Sequence, residues 1–321
     1  MTTRSLVAPR QPHRARQRGA ALLTAMIIVT LVVTLAASMV WQQWRAVQVE
    51  AAERSRMQSA WILTGALDWA RLILREDARS NRPTALTEPW ATPLAEARLS
   101  TFLALDKSNA DDAPDAFLSG AITDAQSRFN LTSLVDQGKL SPEAVGAFER
   151  LCQTVGISAD ATVRIVEGMR DSAVGTGTTA APLRPRSVSQ LTWLGVDEDT
   201  VQRLAPYVVV LPSRTTVNVN TASREVLSAM VKGMDLATAE RLVQVRQRDP
   251  FKTLAAVESQ VPTLAPLNVQ LVSTNSSFFE VRGRLRLDDR VLEQRSLIER
   301  RGLDMLVLQR DFVSSREATG S

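Results

Sequence analysis

The sequence predicts an α+β protein, with a long N-terminal helix that begins as a membrane span, an antiparallel sheet and a large all-helical insertion. Three observations predict it. An uncharged run extends from Ala20 to Trp41. An apolar stripe at helical spacing follows it as far as Leu74. Alternating apolar and charged residues come back near the C-terminus, after a stretch (132–271) patterned mostly as helices.

The run itself is long enough to span. About 20 apolar residues cross a ~30 Å hydrocarbon core. Its polar atoms sit on Thr24, Thr30, Thr34 and Ser38, whose hydroxyls can bond back to helix carbonyls. Trp41 and Trp44 stand where interface anchors belong, and Arg45 closes the run. Before it lie Arg4, Arg10, Arg14, Arg16 and Arg18 with no acid. The positive-inside rule puts residues 1–19 in the cytoplasm and the C-terminal part outside it. Ala36-Ala37-Ser38 imitates a signal-peptide cleavage site, but the apolar run exceeds a signal core. A plain signal anchor is the simpler alternative.

Composition narrows the chemistry. The chain has 321 residues and a net charge of +4, and the five leader arginines exceed that excess. The rest is near neutral, which is a poor basis for nucleic-acid binding. The sole histidine, His13, lies in the leader, so the remainder has no Ser-His-Asp site and no histidine-ligated zinc. The lone Cys152 cannot form an internal disulfide and falls in an apolar helical pattern. No residue set supports catalysis.

Along the chain, residues 1–19 form a leader and 20–79 one helix. Leu63, Leu67, Ala70 and Leu74 make its apolar stripe, with Ile62, Ala66, Trp69 and Ile73 beside it. Asp68 can meet Arg71 or Arg75. Asn81-Arg82-Pro83 ends it. Residues 80–131 and 272–313 make the sheet region. A short helix is expected at Leu94–Leu105, and strands at Ala116–Ile122 and Arg128–Leu131. Phe279, Val281, Gly283, Leu285 and Leu287 face one way, with Glu280, Arg282, Arg284 and Arg286 opposite. Val291–Arg300 and Met305–Gln309 complete a meander, and residues after Phe312 should fray.

Within the insertion, Ser141-Pro142-Glu143 starts one helix and Asp160 caps another. Glu225–Met230, Lys232-Gly233 and Ala237–Leu242 look like a helix-hairpin-helix. Such hairpins can offer backbone N–H groups to phosphate. That makes a membrane-tethered DNA receptor the alternative function. Here Asp235 follows the glycine and would repel phosphate, and Lys232, Arg241, Arg246 and Arg248 are too scattered to form a patch.

Four motifs then carry a resemblance. Arg18-Gly19-Ala20-Ala21-Leu22-Leu23-Thr24 before an apolar helix resembles a prepilin leader. Asp124, Gln126, Arg128 and Asn130 resemble "D-x-Q-x-R-x-N-L"; Pro206 and Tyr207 resemble "L-x-P-Y-V-x-x-L-P"; and Asn218, Asn220 and Thr221 lie in "V-N-V-N-T-A". Together they resemble the protein K (GspK) family of type II secretion systems. The resemblance implies a pseudopilin fold and a non-enzymatic minor pseudopilin without cofactor. It implies cleavage by prepilin peptidase between Gly19 and Ala20, and a single-pass inner-membrane protein with a periplasmic body. The implied partners are minor pseudopilins of the I and J types at the pseudopilus tip, with no nucleic acid. Most pilins carry glutamate at the fifth mature position; this family usually lacks it, and here Thr24 stands there. Many relatives hold calcium in an acidic loop. Near Gly175 only Asp171 remains, so that site is not carried over.

Overall fold

The computed structural model describes residues 17–99, 116–174, 182–262, 264, 266–287 and 290–316. One helix, α1, runs from Gln17 to Arg79. The chain divides at Ser59 into two compact units.

In the first unit, α1 is long and apolar enough to cross a membrane, and the large apolar side chains from Leu22 to Trp44 are exposed. The hydroxyl of Thr24 donates to Ala20 O and Ala21 O, both at 3.0 Å. Thr30 and Ser38 bond back in the same way. Each hydroxyl is thereby satisfied inside its own helix, as a lipid core requires. The rings of Trp41 and Trp44 stack at 5.5 Å.

The second unit builds a sheet on the later turns of α1. Its strands are β1 (Leu94–Arg98), β2 (Ala116–Asp124), β3 (Phe278–Leu287), β4 (Arg290–Arg301) and β5 (Asp304–Arg316). They lie in chain order, and every pair is antiparallel. Leu63 packs with Ala116, Leu118 and Leu285. Leu67, Ala70 and Leu74 pack with Phe279, Val281, Ile298 and Met305. Burial of such side chains contributes roughly 1.5–3 kcal/mol each before entropy is counted. Gly120 and Gly283 pair across β2 and β3, and Gly283 lets the helix come this close while Gly120 leaves room for the backbone of β3. A Cβ on Gly283 would meet Leu63 Cδ2 at 3.1 Å, and one on Gly120 would meet Arg282 O at 2.9 Å. On the helix's polar flank Asp68 pairs with Arg71 at 2.7 Å, and Arg71 and Arg75 donate to the carbonyls of Met305 and Leu303.

Three sequence expectations change. Leu94–Arg98 is a strand, not the start of a helix: its alanines favour helix, but pairing with Gly120, Leu118 and Phe117 prevails. The rest of that expected helix, beyond Leu99, lies outside the described residues. Phe129–Asn130 leaves the main sheet and pairs parallel with Val208–Val209. The last strand reaches Arg316, because backbone pairing with β4 carries it past Phe312 whatever the side chains.

β2 and β3 are antiparallel neighbours, with Asp124 opposite Phe279, and the whole insertion leaves and returns between them. Its helices are α2 (Pro142–Thr154), α3 (Ala159–Val174), α4 (Glu198–Leu204), α5 (Arg224–Met230), α6 (Leu236–Arg248) and α7 (Leu254–Gln260). Ser141, Asp197, Ser223, Asp235 and Thr253 cap five of them through the N3 amide. For α3 the side chain that accepts from Ala161 N is Ser158, and Asp160 is the second residue of the helix, in its first turn. The insertion has its own core around Leu134, Phe148, Leu151, Ile165, Met169 and Leu204. Cys152 belongs to it, and burial pushes its thiol up to about 11, which leaves no thiolate for chemistry.

Candidate functional site

The neck where the insertion joins the sheet concentrates buried polar groups. Asp124 ends β2, and its Oδ1 accepts from Gln126 N at 2.8 Å, which turns the chain into a short 3-10 turn. Its Oδ2 accepts from Thr221 Oγ1 at 2.6 Å, Ser276 Oγ at 2.6 Å and Asn218 Nδ2 at 3.0 Å. Burial pushes the Asp124 carboxyl above its ordinary range, and these hydrogen bonds oppose that shift. Asn218 Nδ2 also reaches Thr84 O at 2.9 Å, and its Oδ1 accepts from Asn220 N. Asn220 then clamps Phe251, donating to its carbonyl and accepting from its amide, both at 2.9 Å. One loop, 217–221, thus ties the sheet, the segment after α1 and the segment before α7 together.

A second cluster adjoins it. Arg300 donates to Asp77 Oδ2 at 2.9 Å, to Thr84 Oγ1 at 2.7 Å and to Ser276 O at 2.6 Å. Glu88 Oε2 accepts from Ala85 N and Trp90 Nε1. Asp77 Oδ1 is buried with no hydrogen-bond donor. Desolvation, and then the neighbouring Glu88, push the Asp77 carboxyl up to about 6, against the pull of Arg300.

The other motif residues fall elsewhere. Asn130 accepts from Thr132 N and Leu211 N and donates to Ser213 O at 2.7 Å, so it fixes the 211–215 segment. Arg128 pairs with Glu280 at 2.7 Å. Pro206 is exposed; Tyr207 O accepts from Phe129 N at 2.9 Å. Gly19 and Ala20 lie in the first turns of α1. Thr84, Ser276, Arg300 and Asp77 had no sequence signal beyond being polar residues near turns and strand ends. Gln126, already part of the quoted motif, receives Ser277 N at 2.6 Å.

The Asp124 carboxyl is saturated with donors and closed to solvent. Asp235 serves as the cap of α6, its own carboxylate at the hairpin. Asp171 is exposed and paired with Arg170 at 2.9 Å. One carboxylate falls well short of the six to eight oxygens that calcium takes.

A groove of about 910 Å³ runs between α1 and the sheet, lined by Ile62, Ala66, Trp69, Leu94, Gly120 and Ile122 among others. Beside it Trp61 is 73% and Trp69 53% exposed, and Leu72 joins them on the same helix.

A helix that starts apolar and ends buried on an antiparallel meander is the build of a pseudopilin. Two family models, both described as Type II secretion system protein K, match residues 127–213 and 217–275. The Type II secretion system protein K of Pseudomonas aeruginosa is 28% identical over 304 residues, covering 86% of this chain and 87% of that one. That of Pectobacterium carotovorum subsp. carotovorum is 28% identical, covering 93% and 97%, and that of Klebsiella pneumoniae 29%, covering 92% and 97%. The crystal structure of the GspK-GspI-GspJ complex from enterotoxigenic Escherichia coli matches in fold. Its TM-score is 0.64 at 20% identity, covering 82% of this chain and 99% of that one. The family models, the curated relatives and the fold agree on type II secretion system protein K, a minor pseudopilin of that system. The DNA-receptor alternative is not supported.

Proposed function

We propose that this minor pseudopilin is the first and topmost subunit of a pseudopilus tip, which it helps to start with partners of the I and J types. The observation that carries the reading is Thr24. In a pilin stack a fifth-position carboxylate meets the terminal amine of the subunit above. Within lipid an unmet carboxylate costs several kcal/mol or takes up a proton. Thr24 has no charge to satisfy, and its hydroxyl is met by Ala20 O and Ala21 O of its own helix. A subunit with nothing above it suits that chemistry.

The partner reading draws support from the exposed Trp61, Trp69 and Leu72 and from the groove beside them. Clustered tryptophans on a free face are the side chains that anchor interfaces. The solved relative is itself a complex with GspI and GspJ. In this reading the protein works without catalysis or nucleic acid, and prepilin peptidase removes the leader after Gly19. It sits once through the inner membrane, N-terminus cytoplasmic and body periplasmic, as the arginines before Gly19 favour. The neck residues Asp124, Asn218 and Thr221 serve to fix the insertion on the body.

Complementation tests the reading. A strain lacking the gene should fail to release type II substrates. The wild-type chain should restore release, and Trp61→Glu with Trp69→Glu should not, though it reaches the membrane in normal amount. Full secretion without the gene would overturn the assignment.

A further inference from the structure

The two edges of the sheet are built differently. β1 has five residues, and its register is irregular between Leu94 and Ala97. A short, irregular edge resists pairing with other chains. β5 has thirteen residues and is paired with β4 along its whole length, from Arg290↔Arg316 to Arg301↔Asp304. A register shift between Leu297 and Ile298 leaves Leu308 as the one bulged residue. Beyond it, residues 309–316 run regularly. No strand among the described residues takes the far side of β5.

In an antiparallel pair about half the backbone N–H and C=O groups point away from the partner. The outer side of β5 is thus a row of strand-pairing groups. Natural edges are guarded by shortness, by proline, by charged side chains, lysine above all, and by bulges; residues 304–316 contain neither proline nor lysine, their charges at Arg310 and Asp311 are of opposite sign, and beyond the one bulge at Leu308 the edge is regular. Instead Leu306, Leu308, Phe312 and Val313 stand exposed along it, the last two at 49%. Phe312 lies opposite Gln294 and Val313 opposite Glu293, so the two project from opposite faces of the sheet. An incoming strand would meet apolar surface above and below its backbone. Arg310 and Asp311, between them and Leu308, would set its register by charge.

We propose that the free edge of β5 is a strand-addition site, and that its occupant is an extended strand of a neighbouring pseudopilin. Main-chain hydrogen bonds would supply affinity and the alternating side chains specificity. The choice of a different chain over a second copy rests on the reading that this subunit enters its assembly once.

Hydrogen exchange on the full chain in detergent tests it, alone and mixed with the purified I- and J-type pseudopilins, while light scattering follows association. On association, amides in 306–316 should slow by roughly 10-fold or more, and those of 94–98 should not change. Phe312→Lys with Val313→Lys should leave the melting of the chain alone unchanged, because both residues are half exposed, and should weaken association about 10-fold or more. Association without slowing at 306–316 would overturn the inference and leave the partner reading intact. Failure to associate would overturn both. Slowing in the concentrated chain alone would assign the edge to a second copy and overturn the inference.

Discussion

Asp124 and Asn218 are joined by a hydrogen bond of 3.0 Å across 94 positions of sequence. The bond closes the neck of the insertion. Both partners are buried, and each has further donors or acceptors in the same cluster. Such networks stabilise when complete and become costly when one member is lost.

Asp124→Ala should therefore destabilise strongly. It would leave Thr221, Ser276 and Asn218 with a missing acceptor. The cost should be on the order of 3 kcal/mol. The melting midpoint of the detergent-solubilised chain should fall by roughly 5–10 °C. Asp124→Asn keeps the shape and should cost less. An unchanged midpoint in Asp124→Ala would show that the neck does not depend on this carboxyl.

Asp77 sets a pH dependence. Its folded pKa, about 6, lies above its ordinary 3.8. The folded chain then holds the proton through a window in which the unfolded chain has lost it. Stability from this group is present below about 4 and is lost as pH rises through 6. Asp124, also raised, acts in the same direction. Lowering the pH from 7 to 5 should raise the melting midpoint, by roughly 3 °C. Asp77→Asn should flatten that slope. A midpoint that falls on the same acidification would contradict the assignment.

Much of the body is legible in the sequence because periodicity writes it there. Leu63, Leu67, Ala70 and Leu74 mark a buried helix face, and the alternation from Phe279 to Leu287 marks a strand with one covered side. Asp124 could be read as a local turn former, since its bond to Gln126 N is two residues long. Its partners Thr221 and Ser276 could not, because topology alone brings them together. Arg300 reaches Thr84 across 216 positions for the same reason. β1 escaped notice because alanine and glutamate favour helix, and its pairing is decided by a neighbour the pattern does not contain.

The leader makes a covalent prediction. N-terminal sequencing of the protein purified from membranes should begin at Ala20. Gly19→Ala should be processed better than Gly19→Leu, because a peptidase must close on the backbone there. A start near residue 39 would indicate ordinary signal-peptide removal after the Ala36-Ala37-Ser38 stretch.

The central claim is that this chain caps an assembly and is not repeated along it. The direct measurement is the stoichiometry of the complex that the full chain forms with the I- and J-type pseudopilins in detergent, by light scattering. One copy of this chain per complex is the predicted result. Several copies, filaments of this chain alone, or indifference to those partners would contradict it.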